Sequence, residues 1–491
     1  MSNPFSSDVY DALARAVSKP SPNGQARDNG RDGEGSEYDR QKDYGHALVL
    51  SRLFLHRYRY AVHRGAWLEY ADGVWRQVPE ERVARVASEN LRAEYAKQLA
   101  VASGKEEIER LTLAVKDTCY YARMTGALAF LRGWDDILTY SHEWDANPWL
   151  LNVANGTVDL RTLELLPHDP ADLLTKQAPV SYNPYAKSAA WEAHVARFLP
   201  NPNIRRQVQR DLGLALVGAT LDEVLPIWYG CGANGKSTTA KVLMGVLGDY
   251  ACKAAPNLLV QSRFETHPTG VADLAGRRLV FSVEVDDGKR LAEALVKDLT
   301  GGDRKKARFM RQDFFEFEQT FSIVLVTNHR PVVQGTDDGI WRRIRLVPWE
   351  HRIPDAEKRP QDVVVAELVA EGSAVLNWLL EGLADWQHDQ RWLAPEVVAA
   401  TEAYRLEQDV LGGFLGECCE LNPRFTVAVG ALYEAYTKWC EEAGEEPVSK
   451  TRFGNLLRQR GIGQSREGHG GPRKWVGVRL VRVTKGDNIS S

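Results

Sequence analysis

Residues 230–237 read Gly-Cys-Gly-Ala-Asn-Gly-Lys-Ser, which satisfies G-x-x-x-x-G-K-[ST] at every constrained position. The apolar run LPIWY ends just before it, and STTAKVLMGVLGDY, compatible with a helix, follows. Strand, glycine-rich turn and helix in that order make a phosphate-binding loop. The glycines let successive backbone N–H groups converge on one anion, and the helix N-terminus adds partial positive charge. The candidate nucleotide ligands are Gly230, Gly232, Asn234, Gly235, Lys236, Ser237 and Thr238. Lys236 has the reach for β- and γ-phosphates, and the Ser237 hydroxyl is suited to ligate Mg²⁺. Such a unit commits its region to an α/β core. Apolar runs at Leu225–Tyr229, Arg278–Val285 and Phe321–Thr327 alternate with helical patterns, as in a parallel sheet.

The chain has 491 residues, enough for two to four domains at roughly 100–200 residues each. A hydrophobic fraction of 44% and a charged fraction of 26% exclude wholesale disorder and a collagen-like fibre. No run of apolar residues is long enough for a membrane helix, and the first twenty residues lack the form of a signal peptide. The six cysteines show neither CxxC pairing nor metal-ligand spacing, which predicts reduced thiols, no zinc site and a cytoplasmic location. Residues 1–43 read as a disordered segment and linker, because 18–43 are almost wholly Gly, Ser, Pro and charge. A mixed α/β domain is expected over 44–190, with a hairpin turning at Asp72-Gly73 and helices from Glu81 to about Ala129. The ATPase domain is expected over 191–375 and a helical connector over 376–409. The final unit, 410–491, reads as three helices followed by a Gly-rich basic hairpin.

Further residues carry chemistry a phosphate loop needs. The strand RRLVFSVEV brings Glu284 to its end, with Asp286 and Asp287 next, so a carboxylate for metal and water is at hand. FSIVLVTN ends in Asn328, an amide placed to orient water. Arg342 and Arg343 follow a turn, and a guanidinium fork suits charge developing on phosphate. Lys305, Lys306, Arg308 and Arg311 crowd around Phe309 and Met310 between these motifs, suited to a nucleic-acid backbone with base contacts; the ordinary alternative is a solvated loop. In the last unit, Ser449 is a helix cap, with Arg452, Arg458 and Arg460 along the helix behind it. Arg466, Arg473, Lys474 and Trp475 fall on the hairpin, in the form of a winged helix that docks on duplex DNA or on protein.

The order of GCGANGKST, the acid-ended strand, LAEALVKDLTGGDRKKARFMRQDFFEFEQTFSIVLVTNHRPVVQGTDDGIWRRIRLVPW and LAPEVVAATEAYRLEQDVLGGFL resembles the superfamily 3 helicases, an AAA+ group of viruses, phages and plasmids. It is most similar to the phage/plasmid primase–helicase family, with the poxvirus replicative NTPase as a relative, over about residues 44–485. The resemblance implies an AAA+ core with an N-terminal α/β accessory or collar domain over 44–190 and a C-terminal winged helix. It implies a ring-forming, ATP-dependent DNA helicase in DNA replication, a homo-hexamer using ATP and Mg²⁺ and moving 3′ to 5′. It implies Glu284 as the Walker B acid and metal ligand, Asn328 as sensor 1, and Arg342 before Arg343 as the trans-acting finger. Relatives carry glutamates where Asp286 and Asp287 stand, so the division of labour among these acids stays open. No primase domain is expected ahead of the linker, so primase activity is not carried over. The implied partners are single-stranded and forked DNA, with an initiator, primase or polymerase as separate chains, in a bacterial cell and from a phage or plasmid, with no membrane. An origin-binding initiator and an AAA+ protein remodeller are the other classes of function that fit.

The overall charge of −4 conceals an uneven distribution. Residues 450–485 hold ten basic side chains against the single acid Glu467, so a basic module sits on an acidic body.

Overall fold

The computed structural model describes residues 37–261, 269–283, 288–309, 313–335, 338–466 and 471–481. Contacts divide the chain into two compact units, residues up to Pro184 together with Val246–Tyr250, and Tyr185–Gly245 together with residues from Ala251 on.

The first unit begins with helix α1 (Glu37–Leu53), so the stretch read as linker up to residue 43 already contains helix from Glu37. Strands β1 (Tyr58–Ala61), β2 (Ala66–Ala71) and β3 (Val74–Val78) follow. The expected hairpin is β2–β3, and Asp72 (φ 52°) and Gly73 (φ 78°) both adopt the left-handed backbone that a tight two-residue turn requires. The helical stretch after it breaks at Ala102–Gly104 and again near Thr118, giving α2 (Glu80–Val101), α3 (Lys105–Asp117) and α4 (Tyr121–Leu131). With β4 (Leu138–Thr139) the sheet order is β3-β2-β1-β4, and the helices cover an apolar core that includes Leu50, Phe54, Trp67, Leu91 and Leu128. Strands β5 (Leu150–Val153), β6 (Gly156–Asp159) and β7 (Glu164–Leu166) form a separate antiparallel meander.

The second unit opens with α5 (Ala189–Phe198) and α6 (Pro202–Leu214), followed by β8 (Leu225–Tyr229), α7 (Lys236–Leu247), β9 (Ala251–Lys253), α8 (Thr269–Ala272), β10 (Leu279–Val283) and α9 (Glu293–Thr300). Next come β11 (Lys305–Ala307), β12 (Phe315–Phe317), β13 (Ser322–Thr327), α10 (Asp338–Trp341) and β14 (Ile344–Pro348). The five main strands pair in the order β14-β8-β13-β10-β9, all parallel. Parallel strands covered on both faces must be mostly apolar on both faces, which explains the apolar-rich runs LPIWY, LVFSV and SIVLVT. Register does the positioning. Thr327 pairs with Tyr229 on one side and Pro348 pairs with Tyr229 on the other. Asn328 and Trp349 therefore emerge level with Gly230, on either side of the phosphate loop, at the carboxyl ends of the strands where α/β sheets hold ligands.

Helices α11 (Gln361–Ala370), α12 (Gly372–His388) and α13 (Pro395–Gln408) come after the sheet. A buried ion-pair cluster ties β14 to α6, with Arg345 bonded to Asp211 and, at 2.9 Å, to Asp222. The chain ends in α14 (Val410–Cys418), β15 (Cys419–Ala428), α15 (Val429–Ala443), α16 (Lys450–Gln459), β16 (Gly463–Arg466) and β17 (Arg473–Leu480). Strand β15 was not expected. Its sequence, CELNPRFTVA, is polar and contains a proline, and its mostly exposed residues are held as strand by antiparallel pairing with β17. Trp475 also departs from expectation. It is 1% exposed and packs with Phe453, Tyr436 and Leu457 in the core, so it is not available on the hairpin surface. Ser449 Oγ accepts from the Arg452 N–H, as a cap should.

Helices α6 and α12 cross with their backbones almost touching. A Cβ added at Gly382 would stand 2.1 Å from Gln209 O, and one at Gly213 would stand 2.4 Å from Leu383 N. Gly382→Ala forces these helices apart and costs roughly 1–3 kcal/mol or more. Thermal or urea unfolding of the variant checks this, and a wild-type melting curve would refute the close crossing.

Candidate functional site

The loop between β8 and α7 is shaped by two glycines. Gly235 has φ +79°, and a Cβ there would meet the Phe198 ring at 2.5 Å; a Cβ at Gly230 would meet Trp349 O at 2.1 Å. Gly232 has ordinary φ and open space around it. Ala233 is also left-handed at φ 61°. Its carbonyl accepts from Ile353 N at 2.8 Å, and the Asn234 amide donates to Trp349 O at 2.8 Å. The segment after β14 thus straps the loop from behind. Residue type could not have announced this role, because it is the Trp349 carbonyl and not its ring that is used.

Lys236 begins α7 and is only 3% exposed. Its ammonium donates to Gly230 O at 2.6 Å, Asn234 Oδ1 at 2.9 Å and Asn328 Oδ1 at 3.2 Å. Burial pushes its pKa down to about 8, so it remains largely protonated at neutral pH. Phosphate loop, lysine and β13 amide are therefore one hydrogen-bonded group. Ser237 is exposed on the first turn of the helix, and Thr238 Oγ1 accepts from Gln361 Nε2 at 3.2 Å, a partner no motif indicated. Behind the loop, His194 Nε2 lies 2.9 Å from Thr239 Oγ1, and burial holds that imidazole down at about 4, hence neutral. The site offers an ammonium, a helix N-terminus, left-handed loop backbone, a free-standing hydroxyl and a neutral amide. That donor set fits a polyphosphate with a hard divalent cation. Glu284, Asp286 and Asp287 lie outside the described residues, as does Arg311.

The two arginines after the α10 turn part company. Arg343 keeps its side chain 10% exposed and donates to Thr300 Oγ1 (3.1 Å), Gly339 O (2.8 Å) and Glu223 (2.7 Å). Arg342 stays 64% exposed with one long contact to Glu223 at 3.4 Å. The expected basic cluster divides as well. Strands β11 and β12 form a hairpin on which Lys306 and Arg308 are exposed and lie over the Phe314 ring, at 5.5 and 4.8 Å from its centre. Lys305 turns inward, 3% exposed, and bonds Asp298 O at 2.6 Å and Asp298 Oδ1 at 3.0 Å. In the last unit Arg458 and Arg473 are exposed and Lys474 is half-buried. Arg452 is engaged elsewhere, with its guanidinium on Gln334 Oε1 at 2.9 Å and Gln334 O at 3.3 Å.

Residues 47–200 match the family described as D5 N terminal like, and residues 406–460 match Poxvirus D5 protein-like. Between them, 228–343 match a family of unknown function, DUF5906. The African swine fever virus (isolate Tick/Malawi/Lil 20-1/1983) protein named as primase C962R is 26% identical over 322 residues, 60% of this chain and 33% of its own. The Acanthamoeba polyphaga mimivirus protein named as helicase L207/L206 is 22% identical over 434 residues, 80% of this chain and 45% of its own. Over these segments the chain is similar to the D5-like superfamily 3 helicase family. It spans less than half the length of either relative. The fold of this D5-like chain is similar to that of the A-form apo NrS-1 C-terminal region (305–718), with TM-score 0.50 at 10% identity over 89% of this chain and all of that one.

Two glycine substitutions in the D5-like phosphate loop should behave oppositely. Gly235→Ala combines a left-handed φ with overlap on Phe198, and should lose at least about 1–2 kcal/mol. Gly232→Ala meets nothing, and should be neutral or gain up to about 1 kcal/mol. Paired melting curves of the two variants decide this, and equal destabilisation would contradict the loop geometry.

Proposed function

We propose that the chain is an ATP-dependent DNA helicase, a ring-forming AAA+ motor that acts in replication of a mobile genetic element, with ATP and Mg²⁺ as cofactors. The observation that carries this is the Lys236 ammonium held jointly by the phosphate loop and Asn328. That contact links the group that would bind the β- and γ-phosphates to the amide that would orient water against them. Lys236 exchanges its internal acceptors for phosphate oxygens, and Ser237 supplies the metal-ligating hydroxyl. Mg²⁺, when bound, neutralises charge between the β- and γ-phosphates. Glu284, with Asp286 or Asp287, is proposed for metal and water. Gly230, Gly232, Asn234, Gly235 and Thr238 complete the cradle.

Arg342 is proposed as the finger that reaches a neighbouring subunit's nucleotide. Its exposure supports that role, and the three hydrogen bonds of Arg343 suit a structural one. Lys306 and Arg308 on the β11–β12 hairpin are proposed to hold the translocated strand, with Arg311 beside them. The α16 helix with the β16–β17 hairpin is proposed as a winged helix that places Arg458, Arg473 and Lys474 on duplex DNA.

A forked-duplex unwinding assay tests the proposal. Wild type should displace a strand only with ATP and Mg²⁺, and Lys236→Ala should abolish both hydrolysis and unwinding. ATP hydrolysis without displacement on any fork would leave an origin-binding initiator as the better description.

The arginines give a separate test. Arg342→Ala should bind ATP normally yet turn over about 10³-fold more slowly, the scale of a lost finger. Arg343→Ala should instead melt earlier, because it removes the bonds that tie Thr300, Gly339 and Glu223 together. Normal turnover in Arg342→Ala would remove it from the mechanism.

A further inference from the structure

The first unit carries a polar cleft to which no role attaches. It measures about 340 Å³ and is lined by Arg64, Trp75, Arg76, Gln77, Thr175 and Lys176, with Asp249 at one side. All of these residues belong to that unit. The local structure explains why the cations gather there. Val62–Arg64 forms a single helical turn closed by Gly65 at φ 57°, which projects Arg64 outward; Arg76 and Gln77 are the exposed residues of β3.

Charge is the unusual feature. Three cationic side chains face one carboxylate, and Asp249 Oδ2 already accepts from Gln177 N at 3.3 Å. Arg64 has its Nε on the neighbouring His63 ring at 3.1 Å, and among the described residues neither Arg64 nor Arg76 lies in an ion pair. Thr175 is fixed in place, with its N–H on Asp145 Oδ1 at 2.7 Å and its hydroxyl on Asp145 Oδ2 at 2.5 Å. A concave surface with surplus guanidinium groups and a rigid floor is complementary to anionic oxygens in a row.

The lining also says which anion. Trp75 is 1% exposed, with its indole N–H spent on Pro170 O at 2.9 Å, so the cleft has no aromatic face on which a base could stack. Such a lining suits phosphate groups and offers nothing to a base. We propose that this cleft binds the phosphodiester backbone of single-stranded nucleic acid, without regard to sequence, as a contact separate from the β11–β12 hairpin and the C-terminal module. The proposal rests on the reading that the chain works on DNA.

The test uses the full chain, a fluorescein-labelled dT20 and fluorescence anisotropy over a range of salt. Neutralising two single-strand phosphate contacts lowers the slope of log affinity against log salt by about 0.7 per contact. The double variant Arg64→Gln/Arg76→Gln should therefore bind several-fold more weakly, with the slope reduced by about 1.4. Its melting temperature and DNA-free ATP hydrolysis should match wild type, since neither residue belongs to the phosphate loop. Unchanged affinity and slope in this variant, while Lys306→Gln/Arg308→Gln weakens binding, overturns the cleft and leaves the helicase reading standing. Wild type that hydrolyses ATP but binds no dT20 overturns the DNA reading, and the cleft with it. Competition separates the source of the phosphate. If low-millimolar inorganic phosphate abolishes the difference between wild type and variant, the cleft is a site for free phosphate and the backbone assignment is wrong.

Discussion

An ammonium buried to 3% exposure needs acceptors on every side, and the second unit is arranged around giving Lys236 three of them. One comes from the loop's own first glycine carbonyl, one from the adjacent Asn234, and one from Asn328, ninety-two residues downstream. The last exists only because β13 lies beside β8 with Thr327 level with Tyr229. A one-residue slip of that strand would turn the amide to the other face of the sheet and remove the acceptor. The same register on the opposite side brings Trp349 to the loop, where its carbonyl holds Asn234. Strand order, loop shape and lysine charge state are thus one problem with one solution.

The cost of holding the charge is visible in the pKa of Lys236, which burial has lowered toward neutrality. Such a lysine is poised to trade internal oxygens for stronger anionic ones, and the three donors rotate with little reorganisation. Rigidity around it comes from apolar strands packed on both faces and from Arg345, whose buried guanidinium bridges Asp211 and Asp222. Exposed cations are kept for other surfaces. The contrast between Arg342 and Arg343, or between Lys306 and Lys305, shows neighbouring residues of one type divided between solvent and scaffold.

Much of the fold was legible because its signals are local. The β8 and β13 runs are mostly apolar, since parallel strands are buried on both faces, and Asp72-Gly73 supplies two left-handed positions for one tight turn. Strand β15 was invisible for the converse reason. Its residues are mostly exposed and include a proline, and only its partner β17, some fifty residues away, holds it extended. Trp475 looked like a surface aromatic because basic residues flank it, yet packing against Phe453, Tyr436 and Leu457 takes it into the core.

By itself, the amino-acid sequence determined the phosphate loop, the parallel α/β core around it and the basic character of the C-terminal module, because each follows from residue type and spacing within a few turns of chain. The tertiary structure alone decided which atoms complete the site and which cations remain free to act. Whether Arg343 is spent on Thr300 and Glu223, whether Lys305 is spent on Asp298, and whether Arg64 and Arg76 share one cleft depend on segments distant in sequence. Charge on a side chain is written in its chemistry, but its availability is set by the neighbours that folding brings within hydrogen-bonding reach.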